Sequence, residues 1–144
     1  MHFLNLLYIE LSGNMKIAQE ILHISNLKID DDKERFLHFS PLRFETTIIS
    51  SLLPDIYSII YSNAELVVSL FRLKLQITTL NSKLSIFQSL RPNDMEFQLS
   101  THNEYITRNT EEFTLPLIKK VTQILETKYG LVHPFHDSSF EIFK

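Results

Sequence analysis

The chain has 144 residues, no cysteine, only 2 glycines and a formal net charge of −3. The length suits one domain with a sizeable core, and 44% hydrophobic with 22% charged residues is an ordinary globular balance. Without cysteine there are no disulfides, zinc ribbons, thiol nucleophiles or iron–sulfur clusters, and so few glycines disfavour phosphate loops and dinucleotide fingerprints. The mild negative charge gives no general attraction to nucleic acid or anionic membrane, and no run of 18 apolar residues spans a bilayer. The expectation is a cytoplasmic protein.

Residues 1–11, MHFLNLLYIEL, are apolar, but they lack a basic n-region and carry Glu10. They read as a short buried helix or strand, with a targeting segment as the alternative. Asn14 or Ser12 then caps a second helix to about Asn26, with Ile17, Ile21 and Ile24 on one face. Residues 27–42 are polar and irregular. The triplet Asp30-Asp31-Asp32 within them lacks the alternation and the sixth-position glycine of an EF-hand loop, where Arg35 stands. It reads as a helix N-cap.

Pro41 opens a further helix over about residues 42–52, with Phe44, Ile48 and Leu52 turned inward. The dominant element follows. Leu66, Leu70, Leu73, Ile77, Leu80, Leu84 and Phe87 recur at spacings of 4, 3, 4, 3, 4 and 3, a continuous helical seam. Pro54 suits a first helical position and Pro92 stops the pattern, which bounds a helix of about 37 residues over 54–91. A break at Ser62-Asn63 is the alternative. Val68, Phe71 and Leu75 lie off the seam, so this helix is apolar on two sides and needs partners on both.

After Pro92, Met95 to Leu99 alternates like one strand. A helix from Thr101 or Asn103 reaches about Glu112, and Thr114-Leu115-Pro116 has the form of a new helix start. That last helix runs to Tyr129, with Gly130 as its C′ residue. Residues 131–144 form an extended C-terminal tail. The fold expected is all-α: a single-domain bundle over 1–144 of about five to six helices around one long central helix.

Chemistry-bearing residues are sparse. His133, His136 and Asp137 place three potential metal ligands within five residues, though Pro134 argues against a zincin-type pair on one helix. His136-Asp137 is similar to the core pair of HD-type phosphohydrolases, which are all-helical; that family needs a later Asp, and none follows Asp137. Arg108-Asn109 resembles the arginine motif of HEPN ribonucleases. That motif ends in a His after four to six intervening residues, and the positions concerned hold Phe113, Thr114 and Leu115. No general acid/base completes it. Arg108 with Lys119, Lys120 and Lys128 forms a modest basic face as a nucleic-acid alternative, which the overall acidity disfavours.

The reading with most support is a protein–protein interaction or assembly subunit, homo-oligomeric or bound to another protein, with no cofactor. Its interface residues would be Leu73, Ile77, Leu80, Leu84 and Phe87 on the seam. A small metal-dependent hydrolase or nuclease using His133, His136 and Asp137 is the alternative.

Overall fold

A computed structural model describes residues 2–51, 63–85 and 95–132. These residues are helical throughout with connecting loops, and contain no strand. The helices are α1 (His2–Ser25), α2 (Asp32–Phe39), α3 (Ala64–Ser85), α4 (Met95–Asn109) and α5 (Leu115–Tyr129). Residues 47–51 open a further helix, and a π-turn over Thr110–Thr114 joins α4 to α5.

The first helix is longer than its sequence suggested. Residues 1–11 and 14–26 do not form separate elements, because Leu4, Leu7, Leu11, Asn14, Ala18 and Ile21 keep one heptad-spaced face through Gly13, and each is essentially buried. A single exposed glycine costs about 1 kcal/mol in a helix, too little to break one that packs along its whole length. α1 lies against α5, and Tyr8 ties them by donating its hydroxyl to Glu126 Oε1 at 2.7 Å. Burial, reinforced by that carboxylate, pushes the Tyr8 phenol up to about 12.

The acidic triplet does cap α2, through Asp31, whose Oδ1 accepts the Lys33 N–H at 3.0 Å. Phe36 and Phe39 turn into the core. Pro41 does not open a helix. Residues 42–46 are a non-helical strap, and helix resumes only at Thr47. The strap lies between α1 and α3 because two buried or half-buried amides replace its missing ladder. Asn14 of α1 donates to Glu45 O at 2.9 Å and accepts from Glu45 N at 2.7 Å. Asn81 of α3 does the same for Phe44, at 2.9 and 2.8 Å. Glu10, one turn before Asn14, takes the Ile48 and Ile49 N–H groups at 2.8 and 2.9 Å and so caps the helix that follows. Burial raises the Glu10 carboxyl above its usual range, against the lowering effect of those two N–H groups.

Of the two readings of the long helix, the break is realised. Asn63 is non-helical and its Oδ1 accepts the Leu66 N–H at 3.1 Å, an N-cap. The segment before it, with Pro54, and the end at Pro92 lie outside the described residues.

Met95 to Leu99 is the start of α4, not a strand. Nor does a new helix begin at Thr114. Pro116 has no N–H to give Glu112 O, and its ring crowds that carbonyl. The helix widens instead of ending, and Leu115 N bonds Thr110 O in a π-turn. α5 then ends as expected at Gly130, in the left-handed region at φ 67°. Thr110 and Thr114 in the π-turn are fully buried, and neither hydroxyl has a hydrogen-bond partner among the described residues. Replacing either by the isosteric Val is therefore expected to leave stability unchanged or raise it by up to about 1–2 kcal/mol. Chemical denaturation checks this; a loss above about 1 kcal/mol would show that the hydroxyls are paired.

Candidate interaction surface

The proposed seam faces inward. Leu73, Ile77, Leu80 and Leu84 are each 0% exposed, as are Leu66 and Leu70, and they pack into one core with α4 and α5. An interface between molecules on these four residues is thus corrected: the same chain already buries them, since α4 and α5 flank α3 and present Leu99, Ile106, Ile118, Val121 and Leu125. Phe87 lies outside the described residues.

The second apolar side of α3 remains at the surface. Ala64, Val68, Phe71, Leu75, Thr78 and Ser82 recur at spacings of 4, 3, 4, 3 and 4, and all six are exposed. At about 100° per residue this stripe lies on the side of the helix opposite the core seam. Its apolar members are well exposed: Val68 48%, Phe71 40% and Leu75 68%. Single exposed apolar residues are normal on a surface, but three in one helical line form a patch. Charges flank it. Glu65 and Arg72 stand on one edge, and Glu65 reaches Lys120 of α5 at 3.3 Å.

The lysines of the basic face are split between two sides of α5. Lys119 and Lys128 are nine residues apart on α5, which sets them about 180° apart around it. Lys119 and Lys128 therefore do not share one face of α5. Lys120 is engaged with Glu65, and Arg108 Nε lies 3.6 Å from Glu112 Oε1. His133, His136 and Asp137 lie outside the described residues. Within the described residues, no three His, Asp or Glu side chains are grouped so as to hold a metal ion.

A feature that sequence reading missed is an open polar cleft of about 350 Å³ between the end of α1, the start of α2 and α4. Arg35 lines it, and both of its terminal NH2 groups are engaged. It donates to Ile24 O, Ser25 O, Leu27 O and Ile29 O at 3.0, 2.6, 3.1 and 2.9 Å, closing the carbonyl end of α1. Asn103 donates to Asp32 O at 2.9 Å, and Ser25 and Thr107 share a hydrogen bond at 2.8 Å. The cleft walls carry Asp32 and Glu104 against Arg35 and Arg108, a balanced set that gives no selective pull on an ion. It holds α1, α2 and α4 together. No helix among the described residues is long and apolar enough to cross a membrane. No family model, curated protein or solved structure matches the chain significantly.

Proposed function

We propose that the chain is a helical interaction module that assembles with a second copy of itself through the outer stripe of α3. One observation supports this reading: α3 is apolar on two opposite sides, and among the described residues the buried core lies on one of them while Val68, Phe71 and Leu75 on the other keep 40–68% exposure. Exposed apolar surface in line along a rigid helix is the physical requirement for helix-on-helix docking. The patch is smaller than a standard interface of about 800 Å² per partner, so its association is concentration dependent.

Size-exclusion chromatography with light scattering tests this across a range of concentrations. The expected mass rises above the 16.9 kDa of one chain as concentration increases. Leu75→Glu is expected to hold the mass at 16.9 kDa with unchanged helicity, because Leu75 touches solvent and not the core. A wild-type chain that stays at 16.9 kDa throughout overturns the reading.

A further inference from the structure

We infer that the second copy docks antiparallel across α3, with the two-fold axis passing at the level of Ser69-Leu70. The inference rests on the self-association proposed above and fixes its geometry. Closed dimers use the same patch on both subunits, so the axis must map the patch onto itself. The apolar part of the stripe runs from Ala64 to Leu75, followed by Thr78 and Ser82. Only an antiparallel pairing centred on Ser69-Leu70 covers all of that apolar part and leaves the hydroxyl-bearing end outside. It sets Ala64 level with the partner's Leu75 and Val68 level with the partner's Phe71.

The charges favour the antiparallel sense and are compatible with this register. Glu65 and Arg72 lie on one edge of the stripe, and antiparallel helices bring like edges together. In this register Glu65 and the partner's Arg72 differ by two residues in level, about 3 Å along the axis, and the two-fold makes that pair twice. Glu65 is 64% exposed at its side chain despite its contact with Lys120, so it can take a second cation. A parallel in-register pair would bring Arg72 beside the partner's Lys74 and leave Glu65 without a cation opposite. Apolar cover selects the register, and the charges support its antiparallel sense.

The absence of cysteine makes the test clean. Ala64→Cys and Leu75→Cys chains are made separately, mixed, and oxidised gently, with light scattering on the same samples before oxidation. A disulfide needs Cα atoms within about 7 Å. The expected product is the mixed disulfide between an Ala64→Cys chain and a Leu75→Cys chain. Neither variant alone should cross-link, because Ala64 and the partner's Ala64 are about 16 Å apart along the axis. Disulfide dimers of Ala64→Cys alone would overturn the inference in favour of parallel pairing. A raised mass with no cross-link in any sample would place the contact elsewhere and overturn the register while self-association stands. A monomeric mass in the unsubstituted chain would remove both.

Discussion

Ile77→Ala is expected to destabilise the fold by about 2–5 kcal/mol, whereas Leu75→Ala, two residues away on the same helix, should cost under about 0.5 kcal/mol. Ile77 is 0% exposed in the core and its truncation leaves a cavity walled by α3, α4 and α5. Leu75 is 68% exposed, so truncation removes little that folding had buried. For a chain of this size, 1 kcal/mol shifts Tm by roughly 2–4 °C, so the two variants should separate by about 5–15 °C. Thermal denaturation followed by circular dichroism, at a concentration where the chain is monomeric, reads the difference. Equal losses would mean that the two sides of α3 are not the core and surface faces described. The pair also separates folding from assembly, since Leu75 should matter to association and not to the fold.

Asn14→Leu should be the most costly polar substitution, at about 2–3 kcal/mol. Leu has the same number and branching of heavy atoms as Asn and is somewhat larger, so the loss is not a cavity. It comes from Glu45 N–H and C=O, each of which loses its Asn14 partner, at about 1–3 kcal/mol for a buried group left unmade. The figure sits toward the lower end because Glu45 itself is exposed and water can reach part of its backbone. Asn14→Asp keeps the acceptor and loses the donor, and should fall between wild type and Asn14→Leu. Urea unfolding with an unchanged slope checks both. A stable Asn14→Leu would show that the strap over 42–46 is held by Asn81 and Glu10 without it.

The interaction reading and the stability reading therefore draw on different sides of the same helix. The Glu65–Lys120 ion pair adds little to either, because both side chains are about half exposed or more and water screens them. The orienting forces are apolar burial on the inner side and the backbone clamps at its flank.

What the sequence determined alone was whatever its periodicity carries locally. The seam from Leu66 to Leu84, the all-α class, the Asp31 cap and the Gly130 stop each depend on a few neighbours along the chain, and spacing or a special residue encodes them. Both apolar sides of α3 were visible too, but not which of them meets α4 and α5, because periodicity gives faces and not neighbours. Local signals misled where packing overrode them. The cap expected at Ser12 or Asn14 did not divide α1, since the turns on either side of it are anchored in the core. Pro116 did not start a helix, because packing of α4 and α5 against α1 and α3 keeps the two in line and the backbone absorbs the proline as a π-turn. In the sequence Asn14 reads as a helix N-cap, and nothing marks Glu10 or Asn81 as backbone clamps. Only the tertiary structure, by laying residues 42–46 between α1 and α3, gave their side chains a backbone to bind.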